Sequence, residues 1–145
     1  MLVDARKFSP SDYARFFGTA ESDRARLPDD FCHYIADSLE WIPTINPTVN
    51  DHPPQLGLNF HGPTVILPEH ASHAAAIFKG WADLFRQAPA SFELTVNWKH
   101  QARSKEPRPS RFDVDRDSTV RALSDIAAMA TQVSRGDHFL LHFGL

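Results

Sequence analysis

Residues 43–55, PTINPTVNDHPPQ, hold four prolines in thirteen positions. Each proline fixes its own φ and offers no backbone N–H, so this density forbids a helix and argues against a strand inside a sheet. A long ordered loop is the expectation, and long ordered loops often carry function. The loop divides a chain whose two sides have different periodicity.

On the N-terminal side the pattern is helical. SPSDYARFFG (9–18) reads as a short helix with Ser9 as N-cap, Pro10 at the first position and Gly18 as the stop. A second helix is predicted over 28–41, with Asp29 and Asp30 in its first turn. Its apolar positions Phe31, Tyr34, Ile35, Leu39 and Ile42 recur at helical spacing, while Asp30, Asp37 and Glu40 fall off that stripe.

Beyond the loop, strand and helix patterns mix. LGLNF (56–60) and TVIL (64–67) read as a hairpin turned at His61-Gly62. Pro68 opens a long helix over 68–87 with the apolar stripe Ala74, Ile77, Phe78, Trp81, Leu84 and Phe85. SFELTVNW (91–98) alternates as a strand, and RFDVD (111–115) is a further strand candidate. Asp117 or Ser118 would cap a last helix over 118–134, with Val120, Leu123, Ile126, Ala127, Ala130 and Val133 inward. The terminal HFLLHFGL (138–145) is apolar enough to be an inner strand. The element order lacks βαβ repetition. It predicts one α+β domain, a mostly antiparallel sheet of four to five strands with about four helices packed on it.

Charge and cysteine usage narrow the function. The net charge of −3 over 145 residues hides an asymmetry. Residues 98–111 carry Lys99, Arg103, Lys105, Arg108 and Arg111 against Glu106, a local +4, so the remainder carries −3 − 4 = −7. An acidic body disfavours nucleic-acid binding and suits a basic protein partner. One cysteine, Cys32, rules out an internal disulfide and points to a reducing compartment. With no apolar run of membrane-spanning length and no signal-peptide core, a cytoplasmic protein without a membrane partner is expected. The oligomeric state stays open.

The histidines raise the possibility of chemistry. His70 and His73 are spaced to share a helix face, and His61 could complete a zinc set for a small metal-dependent hydrolase. However, His-Glu-x-x-His and cysteine clusters are absent. Helical counting puts His70 on the apolar stripe and His73 at its edge, which suits scaffold histidines better. Cys32 and His33 point about 100° apart on a helix, a poor nucleophilic dyad. DVDRD (113–117) lacks a calcium loop's glycine and final glutamate. The basic segment has too few aromatics for a single-strand platform. No catalytic residue, metal or cofactor is expected.

Four pieces together carry a wider likeness: GLNFHG (57–62), WADLFRQAPASFELT (81–95), FDVDRDSTVRALSDIAAMA (112–130) and HFLLHFGL (138–145). In order and spacing, residues 57–145 resemble bacterial immunity proteins, the small cytoplasmic proteins encoded beside polymorphic or contact-dependent-inhibition toxins. The resemblance implies a non-catalytic inhibitor that binds one cognate toxin domain and blocks its active site or substrate path. It implies a nuclease as the commonest target. The shared positions, Trp81, Leu84, Phe85, Pro89 and Phe92, are core candidates, so no binding residue transfers. From the residues themselves, the expected interface is Asp30, Asp37, Glu40, Trp41 and Ile45, with Trp41 as anchor. A core position under the proline-rich loop is the other reading of Trp41. Asp113, Asp115 and Asp117 form a second acidic patch. A general interaction module is the remaining alternative.

Overall fold

The C-terminal run Phe139-Leu140-Leu141 is buried at every position. In a strand successive side chains face opposite sides, so such a run needs cover on both. The computed structural model, which describes residues 1–16, 24–96 and 110–144, shows how that cover is supplied. Strand β7 (His138–His142) lies inside a five-stranded antiparallel sheet ordered β1-β7-β4-β2-β3. Its partners are β1 (Leu2–Asp4), which the sequence pattern had not flagged, and β4 (Thr64–Ile66). The sheet is completed by β2 (Pro43–Ile45) and β3 (Pro54–Leu56).

One face of the sheet carries Ile66 and Leu140 into the main core, which also holds Phe31, Ile35, Phe78, Phe85, Leu123 and Val133. The helices α1 (Asp29–Tyr34), α2 (Ala36–Leu39), α3 (Pro68–Phe85) and α4 (Arg116–Val133) bring those side chains. Helices α3 and α4 pack on each other through Ala74, Ala82, Ala127 and Ala130, small residues that let two backbones approach. The other face carries Val3, Val65, Phe139 and Leu141 into a second cluster, with Phe8, Tyr13 and Phe16 packed against it. Tyr13 and Phe16 come from a 3-10 helix, Pro10–Phe16, and Phe8 from the segment that leads into it. Asp12 closes its start by accepting from the Ser9 N–H at 2.9 Å and the Ser9 hydroxyl at 3.1 Å.

The α+β expectation holds, and four local expectations need correction. The predicted helix over 28–41 is broken at Ile35 (φ −94°, ψ 3°), where the Ser38 hydroxyl donates to the Ile35 carbonyl at 2.7 Å. A side chain that takes a backbone acceptor competes with the helical ladder.

The proline-rich segment is not all loop. Prolines 43 and 54 each open a short strand, and β3 is an edge. First positions and edges are where a missing N–H is tolerated. Between these strands, Asn46 Oδ1 accepts from the Thr48 N–H and hydroxyl, and Asp51 and His52 take positive φ.

The expected hairpin at His61-Gly62 does not form. Leu56 closes β3, and residues 57–63 fold around Asn59, whose amide donates to Pro63 O at 2.8 Å. Strand β4 pairs with β7 and β2 instead.

Finally, β5 (Ser91–Val96) and β6 (Ser110–Asp115) form a separate two-stranded ribbon. The last helix is capped by Asp115, whose carboxylate accepts from Ser118 N at 2.8 Å, not by Asp117 or Ser118. Gly18, Trp98 and the basic residues Lys99, Arg103, Lys105 and Arg108 lie outside the described residues.

Candidate partner-binding surface

Three large apolar side chains that belong in a core by type are exposed around the α2–β2 and β3–β4 connections. Trp41 is 63% exposed, Leu56 70% and Phe60 39%. The fold gives each a reason to be there. Trp41 follows α2 at the point where the chain turns into β2, and the core position next to it is taken by fully buried Ile42. Leu56 ends the edge strand opposite Pro43. Phe60 sits in the Asn59 loop and stacks on His33 of α1, with ring centroids 4.8 Å apart and 21° between planes.

The backbones beneath are locked together. Gly57 N–H donates to Ile42 O at 2.9 Å, and the Thr44 hydroxyl donates to Gly57 O at 2.7 Å. Gly57 has φ +85°, and a Cβ built on it would stand 3.3 Å from Glu40 Cα. Glu40 and Gly57 therefore touch backbone to backbone, which draws the Glu40–Trp41 step and the Leu56–Gly57 step into one patch. A groove of about 370 Å³ runs through it, lined by Ala36, Glu40, Leu56, Leu58 and Phe60 among others.

The predicted interface residues fall out unevenly around this patch. Glu40 lines the groove, Trp41 follows it in the chain without lining the groove, and exposed Asp37 lies one turn ahead of Glu40. Asp30 is half-buried in the first turn of α1 and does not line the groove. Ile45 is only 8% exposed and packs with Val65 and Phe139. It is a core residue, because β2 is an inner strand where a loop was expected. The core alternative for Trp41 fails on its exposure. Leu56 and Phe60 were missed: both were assigned to a hairpin strand, where one face would have been covered. Leu84, placed in the apolar stripe of α3, is 58% exposed, and Ala82 takes its inward place.

The second acidic patch is a different surface. Asp113 and Asp115 alternate along β6, and Asp117 opens α4. All three are exposed. Asp115 is committed to its cap, and bonds from Ser118 hold its carboxyl below the usual carboxylate range. Asp117 pairs with Arg116 at 2.8 Å.

The histidines do not assemble as a ligand set. Among the described residues no three His, Cys, Asp or Glu side chains stand close enough to hold a metal ion. His61 is exposed and His70 is half-buried. His73 bonds the Trp41 carbonyl through Nε2 at 3.1 Å. Cys32 is buried, and burial, with Asp29 nearby, pushes its thiol up to about 12, so it is protonated at neutral pH. Among the described residues, no helix is long and apolar enough to cross a membrane. In comparisons with known proteins, no family model, no curated protein and no solved structure matches the chain.

Proposed function

We propose that this protein is a non-catalytic inhibitor of the immunity type, which binds a cognate toxin domain and covers its active site or substrate path. The observation that carries this reading is the Trp41–Leu56–Phe60 patch with its acidic rim, Asp37 and Glu40. Interface energy concentrates in aromatic and aliphatic anchors surrounded by polar residues, and this patch has that composition. Excluding residues 98–111, the chain carries −7, which would speed encounter with a basic cleft such as that of a nuclease. The ordering of residues 57–145, similar to that of immunity proteins, supports the same reading. The cytoplasm of the producing cell is the compartment this role requires.

The test is direct. The purified chain is mixed with the toxin domain encoded beside its gene, and complex formation and inhibition are measured. In parallel, cells expressing the toxin are challenged with and without the chain. A stable one-to-one complex and protected cells are expected. A chain that neither binds the toxin nor protects the cells is not an immunity protein.

A further inference from the structure

The β5–β6 ribbon carries an open edge whose chemistry does not depend on the partner patch. Among the described residues, β5 and β6 pair only with each other. Ser91 stands opposite Asp115 and Val96 opposite Ser110. At the end of the ribbon the Arg116 N–H donates to Ala90 O at 3.0 Å, which marks Ala90 and Arg116 as a hydrogen-bonded pair of the ladder. Such pairs alternate along an antiparallel ladder, so Ser110, Phe112 and Val114 turn their backbone groups toward β5. Arg111 and Asp113 turn theirs the other way, along an edge that no described strand covers. A row of unpaired N–H and C=O groups is a template for another strand.

The side chains on that edge select the strand. Arg111 and Asp113 both stand in solvent, with Arg111 70% exposed. Phe112 between them is half-buried against the main core. Asp113 lies directly opposite Glu93, and like charges so placed are destabilising. Among the described residues no cation pairs with Asp113. Arg111 reaches Glu93 only at 3.6 Å, too long for a hydrogen bond, so its N–H donors remain open to a further acceptor.

We propose that β6 pairs antiparallel with β6 of a second copy of this chain, with Arg111 of each opposite Asp113 of the other, so that the two ribbons form one sheet. The neighbouring two-fold registers that the outward groups allow set Arg111 opposite Arg111 or Asp113 opposite Asp113, which like-charge repulsion disfavours. In the proposed register both charge pairs attract, and each exchanges backbone bonds in both directions. Each Asp113 gains a cation that offsets Glu93. Phe112 meets Phe112 of the second copy at a closely spaced position, where aromatic pairs stabilise a sheet.

The experiment measures the mass of the untagged full chain by sedimentation equilibrium, from low micromolar to millimolar concentration and at low and high salt. A reversible monomer–dimer equilibrium that salt weakens is expected. Arg111→Asp and Asp113→Arg each set like charges opposite one another in both pairs, and each weakens the dimer by about tenfold or more. An equimolar mixture of the two variants restores opposite charges in both pairs and associates like wild type, a rescue that a change in folding alone does not give. Circular dichroism checks that both variants fold. If either does not, Arg111→Gln and Asp113→Asn take their place, and each is required to weaken the dimer. A chain that stays monomeric throughout, a dimer indifferent to these substitutions, or a mixture that associates no better than its components would overturn the proposal. Variants that lose the toxin domain in place of the dimer would also overturn it, and would assign the edge to that partner.

Discussion

The imidazole Nε2 of His73 stands 3.1 Å from the main-chain carbonyl oxygen of Trp41. A carbonyl can only accept, so Nε2–H donates and fastens α3 to the chain leaving α2. The backbone of Trp41 is thus held while its indole remains in solvent. A binding residue fixed in this way loses little freedom on association. Trp41→Ala is expected to change folding stability by no more than about 0.5 kcal/mol, as exposed substitutions usually do. His73→Ala removes one hydrogen bond and costs about 1 kcal/mol. Urea denaturation of both variants checks the ordering. A Trp41→Ala protein that is strongly destabilised would return the indole to the core.

Gly57 sits under the patch and meets Glu40 closely, whereas Gly62, also left-handed at φ +90°, has open space where a side chain would go. Alanine at either position pays for the left-handed backbone, about 1–2 kcal/mol. At Gly57 it also pushes on the Glu40 backbone. Gly57→Ala is therefore expected to cost more than Gly62→Ala in the same denaturation experiment, and to weaken partner binding as well. Equal costs would mean that the Glu40–Gly57 approach is not tight.

Phe139 and Leu84 separate core from surface. Phe139 is buried in the second cluster under the 3-10 helix. Truncation to alanine there is expected to cost about 3–5 kcal/mol. Leu84→Ala on the exposed face of α3 is expected to stay within about 0.5 kcal/mol. A mild Phe139→Ala would mean that residues 10–16 do not cover that face of the sheet.

Acid should weaken the fold in two stages. His142 is lowered from 6.5 to about 4, chiefly by burial. The unfolded chain therefore binds a proton between those values that the folded chain resists. The corresponding stability is present above pH 6.5 and is lost as pH falls toward 4, a change of roughly 3 kcal/mol. Asp4, held at about 2 by its bonds from Arg6, contributes only in a lower window. Its stability is present above the ordinary carboxylate pKa and is lost as pH falls through about 2. Denaturation midpoints between pH 4 and 7 should flatten in His142→Gln. The same slope in both proteins would place the titration elsewhere.

Much of the architecture was legible because it rests on periodicity. Phe78, Phe85, Leu123 and Val133 recur on helical faces, and Phe92 and Leu94 alternate on a strand, so α3, α4 and β5 could be placed from the residues. Three-residue strands give little period to read: β1, β2 and β3 were missed, and β4 was found only through its apolar run TVIL. Their existence depends on edges to pair with, β7 for β1, β4 for β2 and β2 for β3, a long-range fact that no local window contains. The same gap hid the patch. Glu40 was found from its place off the apolar stripe of the second helix, and Trp41 as an aromatic anchor next to that acidic face. Leu56 and Phe60 were not, because their exposure follows from a loop built around Asn59 and not from a hairpin. Ile45 was misplaced for the converse reason: proline density concealed an inner strand.

The central claim is that the Trp41–Leu56–Phe60 surface is the partner-binding face. The most direct test is the dissociation constant of the complex with the toxin domain, measured for wild type, Trp41→Ala, Leu56→Ala and the distal pair Asp113→Asn with Asp117→Asn. Loss of an anchor costs about 2 kcal/mol or more, so Trp41→Ala should weaken binding by about thirtyfold or more, with Leu56→Ala in the same direction. The distal pair should stay within about threefold of wild type. Unchanged binding by Trp41→Ala and Leu56→Ala, with a large loss in the Asp113 and Asp117 variant, would contradict the account and move the interface to the β5–β6 ribbon.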